Sequence, residues 1–224
     1  MSRISIVGGN GLTAHHLISR LAARGDRVVA FIRSAEQSDV ITQLGATPVV
    51  LDLESSSVAE YARAFAGSDA VVFAAGVGSG GGSVEAIDRD GAIKSIDAAI
   101  AAGVPRFVQI SALGSSTETP VSLTGPFWTA YYAAKRAGDA HLRESTLAWT
   151  ILEPGALTED LATDAVTVGG SNAVSGVETL APISRADVAA AVVAVLDTPG
   201  SVGKTWELIG GETSIVEAVA AAAE

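Results

Sequence analysis

The most constraining stretch in this chain is Ile4-Ser5-Ile6-Val7-Gly8-Gly9-Asn10-Gly11-Leu12-Thr13-Ala14. A short apolar run rich in β-branched residues stops at a glycine cluster. A helical pattern follows, with Leu12, Leu17, Ile18 and Leu21 apolar. This predicts a strand, a tight turn and a helix. The spacing Gly8-x-x-Gly11-x-x-Ala14 then reads as a dinucleotide-binding turn. Gly8 permits the turn, Gly11 lets the backbone approach a pyrophosphate, and Ala14 is small enough for the helix to pack on the strand. The helix N-terminal amides would face the phosphates. An ordinary strand-to-helix turn can also carry glycines. Here the motif follows a buried-type strand and precedes a helix, which is the context it requires.

The rest of the chain repeats this alternation. Strands are predicted at 3–7, 27–32, 48–51, 69–75, 106–111 and 148–152. Helical patterns lie near 11–24, 35–44, 56–65, 84–102 and 126–144. Strands alternating with helices imply right-handed crossovers and a parallel sheet covered on both faces. The composition agrees: 48% of the 224 residues are hydrophobic but only 5% aromatic, which suits aliphatic helices on a parallel sheet. The expected fold is α/β, a Rossmann-like, doubly wound parallel sheet. It forms one domain over 1–224, with a small C-terminal cap at 156–182 helping to shape a substrate pocket. In such sheets the ligand lies at the carboxyl ends of the strands.

Charge narrows the partners. Twenty-five acidic against fourteen basic residues give a net charge of −11, with no cluster of Lys and Arg. This argues against nucleic acid and anionic membranes and for a small-molecule substrate. There is no cysteine, hence no disulfide framework or zinc-thiolate site. No signal-peptide pattern or bilayer-length apolar run is present, so a cytoplasmic protein, monomer or homodimer, is expected. His15, His16 and His141 have no evident acidic partners for a metal and read as non-catalytic.

Several strand ends carry polar residues. Arg33-Ser34 closes the second strand, where an adenosine ribose would lie. A guanidinium there favours a 2′-phosphate and hence NADPH; a solvated surface arginine is the other reading. Asp26 precedes that strand and sits at the wrong end. Asp52, after the third strand, could accept from an adenine amino group or cap the helix near 56, as Ser55 or Ser56 also could. Gly76 ends the fourth strand and lets the backbone pass close to a cofactor. Residues 77–83 read as a surface loop or a lid. Asp88-Arg89-Asp90 reads as a solvated helix face. Gly91 inside a helix costs about 1 kcal/mol relative to alanine, which a close approach to a neighbouring segment or to the cofactor would explain.

The chemistry concentrates after the fifth strand, which ends at Ser111. The next helix carries Tyr131-Tyr132-Ala133-Ala134-Lys135. Tyr131 and Lys135, four apart, share one helix face. An ammonium near a phenol favours the phenolate, so Tyr131 is expected to have a lowered pKa and to move a proton while hydride moves. Ser111 could hold the same carbonyl oxygen. Tyr132, three from Lys135, is the rival donor. Trp128 is the aromatic expected to touch substrate, while Trp149 and Trp206 are expected in or at the edge of the core. Beyond Gly155, 165–168 reads as a short strand of the cap. Ser184-Arg185-Ala186-Asp187 reads as a capping box, making Asp187 structural. A last strand at 204–209 and a last helix at 213–223 complete the chain.

Together, Gly8-Gly9-Asn10-Gly11, Arg33, Asp88-Arg89-Asp90-Gly91, Ala102-Gly103-Val104-Pro105-Arg106-Phe107-Val108, Tyr131 to Lys135 and Trp149-Thr150-Ile151-Leu152-Glu153-Pro154-Gly155 resemble the atypical short-chain dehydrogenase/reductase family, in particular its small NAD(P)H-binding, NmrA-like branch. The resemblance spans nearly the whole chain. It implies NADP(H) contacts from Gly8, Asn10, Gly11, Leu12, Arg33, Ser34, Asp52, Leu53, Ala75, Gly76, Ser111, Lys135 and Pro154. It implies a catalytic Ser111, Tyr131 and Lys135. The implied function is NADPH-dependent reduction of a small carbonyl, quinone or flavin-like substrate. The alternatives are a non-catalytic NADP(H) redox sensor and, more weakly, a nucleotide-sugar epimerase. The chain departs from the family at Glu153-Pro154-Gly155, where many relatives have Arg-Pro-Gly, and the local charge is reversed.

Overall fold

The computed structural model describes residues 1–78, 82–117, 122–170 and 181–224. Residues 79–81 of the glycine-rich loop, Pro120, and 171–180 of the expected cap lie outside the described residues.

Elements follow in the expected order: β1 (Arg3–Val7), α1 (Leu12–Ala23), β2 (Arg27–Ile32), α2 (Ser38–Gln43), β3 (Thr47–Val50), α3 (Val58–Phe65), β4 (Ala70–Phe73), α4 (Ala92–Ala101), β5 (Arg106–Ile110), α5 (Pro126–Glu144) and β6 (Ala148–Pro154). The second half adds β7 (Ala156–Thr158), β8 (Ala165–Gly169), β9 (Pro182–Ser184), α6 (Arg185–Asp197), β10 (Lys204–Gly210), β11 (Thr213–Ser214) and α7 (Ile215–Ala222). One nine-stranded sheet runs β11-β8-β10-β6-β5-β4-β1-β2-β3. From β3 through β10 every pairing is parallel, and only β8 runs against the rest, antiparallel to both β10 and β11. Strand order reverses between β1 and β4, so a crevice opens there at the carboxyl edge.

Alternation along the strands sends side chains to two cores. Ile4, Ile6 and Val72 face α1, α6 and α7, meeting Leu17, Ile18, Val192 and Val219. Val7, Val71 and Phe73 face α3, α4 and α5, meeting Phe65, Ile96 and Leu142. Each fully buried aliphatic or aromatic side chain contributes about 1.5–3 kcal/mol, so these layers fix the wound sheet. Trp206 is buried and Trp149 half-buried, as expected.

Three local expectations change. The strand at 165–168 does not belong to a separate cap: β8 extends the main sheet beside β10, because its Val166 enters the core. The cap of α3 is Ser57, not Asp52, Ser55 or Ser56. Its side chain accepts from the Glu60 amide while Glu60 accepts from the Ser57 amide, a reciprocal capping box. The predicted 84–102 helix begins as a π-helical turn, Glu85–Gly91. A Cβ on Gly91 would stand 3.3 Å from the Leu53 side chain, so a neighbouring segment accounts for this glycine. At α6, Ser184 accepts from the Asp187 amide, and the Asp187 carboxylate accepts from the Thr163 and Asp164 amides. Asp187 is therefore structural, as expected.

Candidate active site

A cleft of about 680 Å³ runs along the carboxyl edge of the sheet, over the β1/β4 crevice. One end is made of backbone. Gly8 adopts φ +81°, and a Cβ there would lie 2.6 Å from the Ala75 Cα, so the turn packs against the end of β4 only with glycine. Gly11 begins α1 without a side-chain cap, and Gly11, Leu12 and Thr13 line the cleft. An uncapped first turn beside a glycine cradle suits a pyrophosphate. Asn10 lines the same wall and lies 3.2 Å from the His15 ring.

Farther along this end, Arg33 is exposed in the cleft and has no ion pair among the described residues. Its amide donates to the Gln37 side chain. Asp52 and Leu53 line the cleft as well. The Asp52 carboxylate accepts from the Ser55 and Glu54 amides and from the Ser55 hydroxyl, which together hold it below the usual carboxylate range. Ser34 and Pro154 are not part of the cleft wall. The Ser34 hydroxyl bonds Glu36, and buried Pro154 gives its carbonyl to the Leu113 amide.

The other end is made of side chains. Ala75, Gly76, Ser111, Tyr131 and Lys135 all line it. Lys135 is buried, and its Nζ sits 3.0 Å from Asp88 Oδ1 and 3.4 Å from the Ile110 carbonyl. Asp88 is 1% exposed and also accepts from the Val77 amide. The expected solvated face is therefore wrong at Asp88, because the π-helical turn directs this residue inward beneath Gly76. There a Cβ would approach Asp88 Oδ1 to 3.2 Å.

The Asp88 partner also alters the expected electrostatics. Burial draws the Lys135 pKa down, but Tyr131, Asp88 and Asp139 outweigh it and hold the ammonium above its ordinary range. For Tyr131, burial raises the pKa, Lys135 lowers it, and Asp88 and Asp139 raise it again; the net direction is upward. The expected lowering is thus reversed, and Tyr131 stands as a neutral phenol at neutral pH. Its rival Tyr132 is buried and donates to the Leu113 carbonyl.

Ser111 Oγ is tied inward. It lies 2.7 Å from Asp139 and 2.9 Å from Ser115 Oγ. Ser115 also reaches Asp139 at 2.7 Å and Glu153 at 2.9 Å. Asp139 and Glu153 are fully buried. Burial, with Asp139 nearby, pushes the Glu153 carboxyl up to about 7 against the pull of Ser116, Ser115 and Arg143. Sequence reasoning noted Glu153 and read Asp88 as solvated, but missed Asp139 and Ser115, which lie 24 residues apart along the chain. It also missed the aromatic and cationic rim. Trp128 lines the cleft, joined by Phe127, Leu157 and Arg185. Arg185 pairs with Glu159 at 2.9 Å.

Among the described residues no group of three or more His, Asp or Glu could hold a metal ion, and no helix is long and apolar enough to cross a membrane. A nicotinamide dinucleotide fits this cleft: a glycine cradle and an uncapped helix start at one end, and a buried ammonium at the other. The comparisons agree. A family model described as NAD(P)H-binding matches residues 8–199. The chain belongs to this NAD(P)H-binding family, and its fold is that of the atypical short-chain dehydrogenases/reductases. A curated Bacillus subtilis protein named uncharacterized sugar epimerase YhfK is 34% identical, covering 97% of this chain and 98% of its own. A solved Bacillus halodurans structure, provisionally described as an NAD-dependent epimerase/dehydratase, superposes with a TM-score of 0.87 at 37% identity, over 98% of this chain and 99% of that one. The solved Lactococcus lactis oxidoreductase ylbE gives 0.83 at 31% identity, over 98% and 95%.

Proposed function

We propose that this protein is an NADPH-dependent oxidoreductase that reduces a small carbonyl, quinone or flavin-like acceptor. The observation that carries the reading is one continuous cleft. It joins the Gly8–Gly11 turn and the exposed Arg33 guanidinium at one end to Tyr131, Lys135 and Ser111 at the other. The description of the Lactococcus lactis relative as an oxidoreductase supports it.

The bound dihydronicotinamide would supply hydride. The chain's residues do the rest. The first-turn amides of α1 hold the pyrophosphate, Arg33 receives the 2′-phosphate, and Asp52 accepts from the adenine. The Lys135 ammonium has three donors. Ile110 and Asp88 occupy its inner side, which leaves one donor for a ribose hydroxyl. Tyr131, kept neutral by burial and by the Asp88 charge, gives its phenolic proton to the acceptor oxygen. Ser111 orients that oxygen, and the Phe127–Trp128 rim contacts the acceptor body. The test is NADPH oxidation across a panel of quinones, aldehydes and flavins. Cofactor binding without any oxidation would overturn the reductase reading.

A second reading, hydride exchange within one substrate as in an epimerase, is favoured by the descriptions of two of the relatives. It predicts no net NADPH oxidation by any acceptor, but conversion between stereoisomers of a nucleotide sugar.

A further inference from the structure

The chain carries a net charge of −11, yet among the described residues no carboxylate lines the acceptor end of its cleft. The acids that do line the wall, Asp52 and Glu54, stand at the nucleotide end. The acceptor end instead holds two cations, Lys135 and Arg185. Lys135 is committed to Asp88, to the Ile110 carbonyl and to the cofactor ribose. Arg185 is left over.

Its position follows from the small second sheet. Strands β7 and β9 pair in parallel, with Leu157 opposite Ile183 and Thr158 opposite Ser184. Ile183 enters the core and Ser184 caps α6. Arg185 thus becomes the first residue of the helix and lines the cleft with Leu157. The nearest acid on α6, Asp187, is spent on the Thr163 and Asp164 amides. Among the described residues the polar partner of Arg185 is Glu159, 2.9 Å from Nη1. Glu159 is exposed, so this ion pair is weak and readily exchanged. One contact through Nη1 also leaves most of the five guanidinium N–H donors available.

The same end presents an apolar surface. Phe127 is 51% exposed and Leu157 38%. The Phe127 ring lies nearly parallel to Tyr131, with centroids 6.1 Å apart, and edge-on to Trp128 at 5.2 Å. Rings held against one another in this way make a preset wall for a flat body. A guanidinium on the same rim takes a carboxylate through two parallel hydrogen bonds. Glu159 already places a carboxylate on it. A guest monoanion also meets less repulsion from Glu159 than a phosphate dianion would.

We infer that Arg185 sets substrate specificity: the acceptor is a flat, conjugated molecule bearing a carboxylate, which the guanidinium receives in place of Glu159 while the ring system lies on Phe127 and Trp128. This names the substrate class of the proposed oxidoreductase. It rests on that reading for turnover, but not for binding.

The test titrates the full chain, saturated with NADP⁺, with naphthoate and with naphthamide, its neutral isostere, by calorimetry. The acid should bind about 10–100-fold more tightly, the reach of hydrogen bonds to a charged group. In Arg185→Gln the acid should bind no better than the amide. In Glu159→Gln, with the competing carboxylate gone and the arginine untouched, the acid should gain severalfold. Equal affinities or no binding in the wild type would overturn the inference, as would an acid preference that survives in Arg185→Gln or an acid affinity unchanged in Glu159→Gln. Naphthyl phosphate binding more tightly than naphthoate would overturn it too, because the site would then suit a dianion. Kinetics separates the two readings: formylnaphthoate should exceed formylnaphthamide in kcat/KM for NADPH oxidation by the same factor. An acid preference in binding, with no aldehyde, quinone or flavin reduced, would overturn the oxidoreductase reading while leaving the carboxylate site established.

Discussion

The two ends of the cleft are built from different materials. The nucleotide end is mostly backbone: a glycine turn, an uncapped helix start and one exposed arginine, all within the first 33 residues. The acceptor end is mostly buried charge. Lys135 with Asp88, and Asp139 with Glu153, come from separate segments and meet only when the sheet is wound. A phosphate needs donors that stay in place, which amides supply without titrating. Proton movement needs groups whose charge can change, and burial is what tunes them. Such tuning couples the acceptor end to pH and to stability, whereas at the nucleotide end only the depressed Asp52 carboxyl does so.

Changes at the acceptor end should therefore act on turnover and folding. Tyr131→Phe should cut turnover by about 10²–10⁴-fold, the usual reach of a general acid, with NADPH affinity nearly unchanged. Steady-state kinetics beside a binding titration check this, and unaltered turnover would remove the proton-donor role. Lys135→Met leaves Asp88 buried without its cation and should destabilise the fold by about 3–5 kcal/mol. Urea denaturation reads this directly. A loss no larger than a surface substitution gives would show that the pair is not buried as described. At the nucleotide end, Arg33→Ala should weaken NADPH by about 10–100-fold, the worth of one or two charged hydrogen bonds. NADH affinity and folding should stay unchanged, and equal losses for both cofactors would show that Arg33 does not read the phosphate.

A further effect is on stability against pH. Glu153 has a folded pKa of about 7 against an ordinary 4.5. Between these values the folded chain binds more protons than the unfolded one, so stability falls as pH rises through this window. Thermal unfolding of Glu153→Gln should lack that decline, whereas matching slopes would place the titration elsewhere.

This contrast also decides what the sequence could reveal. Strand alternation and glycine spacing are local patterns, so the order from β1 to β6 and the Gly8–Gly11 turn were legible. The Tyr131–Lys135 face was legible too, because four residues on one helix suffice to define it. Asp88 was not: it shares the π-helical turn Glu85–Gly91 with the more accessible Arg89 and Asp90, and only the geometry of that turn points it inward. The upward shift of Tyr131 was hidden for the same reason, since it depends on Asp88, Asp139 and burial together. Strand β8 looked like part of a cap because its antiparallel pairing with β10 joins segments about forty residues apart.

The measurement that tests the central claim most directly is calorimetric titration of the purified protein with NADPH and, separately, with NADH. The account predicts saturable one-site binding with NADPH clearly preferred. Binding of neither would contradict it, because the glycine turn would then be only a strand-to-helix connection and the proposed chemistry would have no hydride source.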